Sequence, residues 1–509
     1  MTDYPTLDDH SGTVRLASRL AGAVWGLLVG DAVGVPYEFG LPRPADEVRF
    51  GEPGGPWRQP AGTWSDDGAL TLALLDSLLH GGPDGGPAFD LDDQGRRFRA
   101  WRDRGAYTPD GDGRFDVGAT TFRALQRLDE GAAAADAGPA GEDSCGNGSL
   151  MRVLPLALVH RDDEPAQLIG RAHLASRVTH GHPRCQAACA VYCLAVVGLL
   201  RGLEPEAALA SALAECERVY ASEPGLENHA GALAELRGFG GRSGGGFVLD
   251  SFWSAWDAFA GAADYADAVR RAVAYGNDTD TTAAIAGGLA GARWGWDGIP
   301  LDWRRGMRGR EVATPLVDGL VATAGARTST LSPLRVDLLD LSGTSLDGTG
   351  RVGITFLPGK KRDGHSGAHW RDLDADLATL HGLGVDALFL LVEDHELAWC
   401  RVAELPAVMA AQGPELVRFP VHDPETPLDP VAYRRAVVGL VDRVRAGGFV
   451  AIACRGGIDR SGMTAACVYR EVGLGFDEAV RRTQAARHGS ITRAGEQALV
   501  RAWPPAEPL

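Results

Sequence analysis

The chain has 509 residues, 45% hydrophobic and 23% charged, with a formal net charge of −17. That length predicts two or three domains, and that balance excludes disordered, collagen-like and disulfide-scaffold classes. The charge is lopsided: residues 331–509 hold 20 Lys+Arg against 23 Asp+Glu, so residues 1–330 carry −14 of it. Neither part has the basic stripe of a nucleic-acid binder, which argues against a long nucleic acid as partner. The acidity has two readings, a solvated surface or a carboxylate cluster that binds cations.

Met1–Tyr4 lacks the basic flank and apolar core of a signal peptide. No run of about 18 uninterrupted apolar residues is present, so no membrane association is expected. Leu16, Leu20, Ala23, Leu27 and Leu28 recur at helical spacing. The same helix carries glycines four apart, Gly26, Gly30 and Gly34, which allow close helix packing. Pro36 stops it, leaving Glu38 just past the helix end, as a site carboxylate or a solvated loop carboxylate.

Ser65-Asp66-Asp67 opens a second apolar helix, with Ser65 as N-cap. Gly105–Gly113 and Gly131–Gly141 read as surface loops. Gly146-Asn147-Gly148, before an apolar segment, is either a backbone nest for phosphate or an ordinary turn. Cys185, Cys189 and Cys193 lie four apart on one helix face and read as buried thiols rather than a zinc site. With eight scattered cysteines, a reducing cytoplasm is the expected compartment.

Asp278-Thr279-Asp280-Thr281 opens an Ala/Gly helix with almost no side-chain bulk. Taken singly, such clusters are acidic caps complementing a helix dipole. Facing each other, the two clusters would offer four carboxylates and at least two hydroxyls. That donor set suits Mg or Mn rather than zinc, and without a cation the carboxylates would repel.

These elements resemble the ADP-ribosylglycohydrolase family, including the dinitrogenase reductase-activating glycohydrolases. The matching stretches run in the family's order: Gly26 to Glu38, Ser65 to Gly68, Gly146 to Pro155, Thr179-His180, Gly276 to Thr281, and Gly298 to Trp303. Departures are Ser65 for Thr, Gly68 for Thr and Asn277 for Gly. The resemblance covers about residues 14–325 and implies an all-α fold with two Mg (or Mn) ions. Its metal ligands would be Ser65, Asp66, Asp67, Asp278, Asp280 and Thr281. Gly146, Asn147, Gly148, Ser149 and His180 would contact the ADP-ribose, and Asp116 and Gly118 its distal ribose. The implied reaction is hydrolysis of an ADP-ribosyl glycosidic bond through an oxocarbenium-like state. Glu38 or a metal-bound Asp would handle the proton.

After about residue 325 the texture changes. Val352–Leu357, Ala387–Val392 and Phe449–Ala453 read as buried strands, alternating with helices at Leu373–Leu383 and Pro430–Ala446. Thr323–Ser332 reads as the linker, giving domains 1–325 and 331–509. The last strand runs into Cys454-Arg455-Gly456-Gly457-Ile458-Asp459-Arg460-Ser461 and then an apolar helix. Backbone N–H groups there can cradle a phosphoryl group, and the helix N-terminus with Arg460 favours a Cys454 thiolate.

This strand, C-x₅-R-S loop and helix resemble the protein tyrosine and dual-specificity phosphatases, most closely the kinase-associated branch, over about residues 340–503. Leu373–Glu396, Arg418–Pro427, Arg487, Gly489 and Gln497 fit that pattern. The resemblance implies an α/β Cys-phosphatase fold without a cofactor. Cys454 would be the nucleophile, Arg460 and Ser461 its supports and Asp423 the general acid. Arg455, Gly456, Gly457, Ile458 and Asp459 would bind the phosphoryl group. Ala453 stands where the branch has His. Asp459 adds a negative charge that argues against multiply phosphorylated inositides.

The expected protein is thus a two-domain hydrolase acting on an ADP-ribosylated protein or small molecule and on a phosphorylated substrate. Two alternatives stay open: an ADP-ribose and phosphate sensor with an inactive phosphatase domain, or one small phosphorylated ADP-ribosyl compound processed by both domains.

Overall fold

The computed structural model describes residues 11–504 except 112, 365 and 366. The Met1–Tyr4 reading and one position of the Gly105–Gly113 loop lie outside the described residues. The chain divides into two compact units. One is Arg15–Ala324; the other holds the described residues from Gly325 on, together with those up to Val14.

Arg15–Ala324 is built from helices, with isolated bridges such as Gly40–Asn277 and Gly146–Phe247 between loops. Its centre is a pair of long helices, Gly12–Gly34 and Thr279–Gly298. Glycine lets these two touch backbone to backbone. A Cβ on Gly30 would lie 2.8 Å from the Ala283 carbonyl carbon and closer still to its oxygen; one on Gly34 would lie 2.5 Å from Thr279 O. Pro36 follows in a 3₁₀ turn, Val35–Tyr37, as its missing N–H and fixed φ require. Two helical segments, Gly12–Tyr37 and Pro183–Leu200, are apolar and long enough to cross a membrane. Their most apolar windows are 94% and 83% buried inside the protein, which accounts for their apolarity. Cys185, Cys189 and Cys193 are buried, free thiols on the second.

The second unit carries a five-stranded sheet. Its strands are β1 (Asp337–Leu338), β2 (Arg351–Phe356), β5 (Ala387–Leu390), β6 (Glu415–Arg418) and β7 (Phe449–Cys454), in the order β1-β2-β7-β5-β6. β1 is antiparallel to β2; the other neighbours are parallel. A separate hairpin pairs β3 (Lys361–Gly364) with β4 (Gly367–Trp370). Alternation along β7 sends Val450, Ile452 and Cys454 to one apolar layer, with helices Pro430–Arg445 and Asp459–Glu471. Phe449, Ala451 and Ala453 face the other, with helix Leu373–Gly382. The three expected strands form at their expected places. β6 and the hairpin were not foreseen, because each is four residues long and lacks an apolar alternation.

The segment read as a linker is docked rather than free. Arg327 N–H donates to Ala368 O at 2.9 Å, and Arg371 Nη1 donates to Ser332 O at 2.8 Å. The buried Arg371–Asp376 ion pair holds this segment's backbone on the second unit.

Candidate functional site

In the first unit two helix N-termini meet. Ser65 caps helix Asp66–His80, its Oγ accepting from Asp67 N–H at 3.3 Å. Asp278 caps Thr279–Gly298, and Thr279 Oγ1 ties that end to Gly34 O at 2.8 Å. Thr281 Oγ1 donates to Asp67 Oδ2 across the two helices at 3.3 Å. Asp67 and Asp280 are fully buried, Ser65, Asp66 and Thr281 nearly so. Asp67 Oδ1 and Asp280 Oδ2 are buried and have no hydrogen-bond partner among the described residues.

Burial first, then the neighbouring carboxylates, push Asp66, Asp67 and Asp280 well above the usual carboxylate range. Four like charges in this volume need either protons or a cation. Buried oxygens lacking any donor fit a hard divalent cation. Glu38, Asp116 and Asp280 bring carboxylate oxygens within 4.8 Å of one another. Glu38 accepts from Trp57 Nε1–H, and burial and Asp116 raise it to about 8. Asp116, at φ 53°, is raised to about 6 by burial and Asp278.

The carboxylates open into a cavity of about 630 Å³. Glu38, Asp66, Asp116, Gly118, Gly146, Asn147, Gly148, His180, Asp278 and Thr281 line it. Ser65, Asp67 and Asp280 stand behind this wall. Ser149 is turned away: it is 1% exposed and bonded to Ser176 Oγ at 2.9 Å. The Gly146–Gly148 stretch is a turn docked on a neighbour rather than an open nest, since Asn147 N–H already donates to Gly246 O at 3.1 Å. Asn147 Nδ2 donates to Asp278 Oδ2 at 2.7 Å, linking this turn to the acidic cluster. A Cβ on Gly148 would lie 2.8 Å from His180 Cε1, so the turn needs glycine there. Burial and Arg152 hold His180 down at about 3, so its ring is neutral.

Sequence reasoning missed Asp31. It is fully buried, and its carboxylate accepts from Ser65 N–H at 2.9 Å and Gly68 N–H at 2.8 Å, anchoring the helix start that carries Asp66 and Asp67. Burial raises it to about 7. Its signal was its place in the glycine-spaced helix, but its partners lie 34 and 37 residues away. Asn277, where the family has Gly, takes φ 59°, a left-handed conformation that Asn tolerates best after Gly.

In the second unit Cys454 ends β7 at the centre of the sheet, 3% exposed. Its Sγ accepts from Gly457 N–H at 3.2 Å and lies 3.3 Å from Ser461 Oγ. Gly457 has φ 66°, and a Cβ there would lie 2.6 Å from Thr355 O. Arg460 is buried and held by Glu396, a residue the sequence did not single out, through two 2.7 Å bonds. Asp423 Oδ2 pairs with Arg455 at 2.7 Å, and Asp459 with Arg493 at 3.0 Å. Cys454, Arg455, Gly456, Ile458, Asp459, Arg460 and Asp423 line a cavity of about 300 Å³, with Lys360 and Arg362 beside them. Ala453 points into the opposite apolar layer, so no imidazole supports the loop from that position.

A family profile for ADP-ribosylglycohydrolase matches residues 12–330. ADP-ribosylarginine hydrolase Tri1 of Pseudomonas putida is 32% identical over 56% of this chain and 73% of its own length. ADP-ribosyl-[dinitrogen reductase] glycohydrolase of Rhodospirillum rubrum is 31% identical over 60% of this chain and 97% of its own. A solved ADP-ribosylglycohydrolase-related protein complex covers 61% of this chain and 99% of its own, at 33% identity and TM-score 0.50. A kinase associated phosphatase overlays 33% of this chain and 93% of its own, at 22% identity and TM-score 0.30. The chain belongs to the ADP-ribosylglycohydrolase family.

Proposed function

We propose that the first unit removes ADP-ribose from a modified protein, with two divalent cations, Mg or Mn, held by Ser65, Asp66, Asp67, Asp278, Asp280 and Thr281. The observation that carries this is the pair of buried oxygens, Asp67 Oδ1 and Asp280 Oδ2, that lack a donor among the described residues. When bound, such ions supply a Lewis-acid seat for ribose hydroxyls and a more acidic water. The chain's own residues do the rest. Asn147 steadies Asp278, and Asp31 fixes the start of helix Asp66–His80. Glu38, beside Asp280 and steadied by Trp57, takes the proton from the attacking water. Asp116, Gly118, Gly146, Gly148 and neutral His180 shape the wall against the ADP-ribose; Ser149 is a positioning residue acting through Ser176.

Arginine-linked ADP-ribose is the first substrate to test, since the Pseudomonas relative is named for it. Asp280→Ala is expected to reduce ADP-ribose release in Mg buffer by at least about a hundredfold. Wild-type turnover by that variant would remove the cation assignment.

We infer a second activity, a Cys-dependent phosphomonoesterase, in the second unit. It rests on the Cys454 sulfur, which accepts a backbone N–H inside a loop closed by buried Arg460. Cys454 displaces the leaving oxygen and takes the phosphoryl group; Asp423 protonates that oxygen; water then cleaves the thiophosphate. The full chain is expected to hydrolyse an aryl phosphate and its Cys454→Ser variant to be inert. Equal rates would discard Cys454 as nucleophile.

A further inference from the structure

The cations of the Cys454 cavity fall into two groups, those with a carboxylate partner and those without one. Arg460 is paired with Glu396, and Arg455 with the ionised form of Asp423. Asp459, whose charge opposed a polyanionic substrate on sequence grounds, is itself neutralised by Arg493. Lys360 and Arg362 enter the same cavity from the start of the β3–β4 hairpin, and neither forms an ion pair among the described residues. Asp363 lines the same cavity and acts electrostatically on Arg362 without a salt bridge to it among the described residues; it accepts from Ser11 N–H and Oγ at 3.0 and 2.8 Å.

Lys360 is 3% exposed. Among the described residues its ammonium has one hydrogen bond, to Arg455 O at 3.4 Å, and it lies 5.3 Å from the Phe356 ring centre. Arg362 stacks on Trp399, with Nη1 buried and without a hydrogen-bond partner among the described residues. An ammonium with three donors and one long bond is costly to bury unless an anion completes it. Burial accordingly draws Lys360 down to about 8 and Arg362 to about 10.

We propose that Lys360 and Arg362 form a second anion subsite beside the Cys454 loop, so that the substrate is a small phosphomonoester bearing a second phosphate or carboxylate. This deepens the phosphatase reading and rests on it. The cavity's volume, at the low end for small-molecule sites, favours a compact ligand over a long phosphopeptide. One anion sits on the backbone amides of the loop, the other on the unpaired cations.

The test compares kcat/KM of the full chain for 3-phosphoglycerate and glycerol 1-phosphate, which differ by one carboxylate, and for 2,3-bisphosphoglycerate. The two-anion substrates are expected to be preferred by about tenfold or more, the effect of one charge-assisted contact. Lys360→Met and Arg362→Met are each expected to collapse that preference toward one, and Lys360→Arg to keep it. A wild-type preference near one, a ratio unmoved by both methionine variants, or preference for an acidic phosphopeptide would overturn the subsite. A parallel calorimetric titration of the Cys454→Ser variant compares inorganic pyrophosphate with inorganic phosphate. Tighter pyrophosphate binding that Lys360→Met removes, without turnover in the wild type, sinks the phosphatase reading and keeps the subsite. Turnover without either preference sinks the subsite alone.

Discussion

Gly30→Ala tests whether backbone contact between Gly12–Gly34 and Thr279–Gly298 sets the metal-site geometry. The added methyl would lie 2.8 Å from Ala283 C and closer to its oxygen, whereas ordinary contacts begin at 3.4 Å. The helices must therefore separate by roughly 0.5–1 Å or strain locally, an overpacking that costs about 1–3 kcal/mol. For a unit of this size, unfolding entropy of ~2.1 cal/mol/K per residue turns that cost into a Tm loss of about 1.5–5 °C. The chemical effect is larger: Asp278, Asp280 and Thr281 move with the displaced helix, and a shift of ~1 Å is worth about a hundredfold in rate. Gly170→Ala is the control. Gly170 lies inside helix Pro165–Arg177 with open space where its Cβ would be. There alanine is expected to stabilise by about 0.5–1 kcal/mol and leave turnover alone. Thermal unfolding and metal-dependent ADP-ribose release read both effects. If Gly30→Ala keeps wild-type Tm and rate, the helices are not in backbone contact and do not set the site's geometry.

Gly148→Ala is expected to raise KM for the ADP-ribosylated substrate by about tenfold and to lower Tm, because its methyl meets the buried ring of His180, which also lines the cavity; an unchanged KM would detach this turn from the substrate. His173 is 7% exposed, bonded to Tyr220 and stacked on His229, and burial draws it down to about 3 from 6.5. Its unfolded form therefore binds the extra proton, so its contribution is present above pH 6.5 and is lost as pH falls, by about 1.4 kcal/mol at pH 5.5. Denaturant unfolding of wild type minus His173→Phe should show that slope between pH 7 and 5; a flat difference would mean the ring is not buried neutral.

Local chemistry made much of this legible. Ser65 and Asp278 mark helix starts because caps act within a few residues, and the glycine spacing signals close approach because nothing else allows it. β7 and the Cys454 loop are likewise continuous in sequence. What escaped depends on residues far apart in the chain. Asp31 finds its donors at Ser65 and Gly68, Asn147 finds Asp278, and Arg460 finds Glu396. Ser149 sits within the motif, but the turn that carries it faces Ser176, and no spacing rule reveals which way a turn residue points. Lys360 and Arg362 come from a short hairpin whose pattern is too weak to read.

Both units build on the same backbone device, a helix N-terminus that favours negative charge, and use it differently. At Asp67 and Asp280 the negative charge belongs to the protein. A dipole worth about 1 kcal/mol per carboxylate is too small to hold four of them ionised out of water. Asp31 already takes the Ser65 and Gly68 amides that open helix Asp66–His80, so the cluster needs cations from solution. In the loop before Asp459–Glu471, Gly457 N–H already donates to Cys454 Sγ, and the proposed phosphoryl group would take the amides around it. There the protein supplies cations beside its carboxylates, and two of them, Lys360 and Arg362, form no ion pair among the described residues. On the proposed reading one site recruits metal and the other recruits anions, so only a small part of the −17 belongs to chemistry and the rest to the surface.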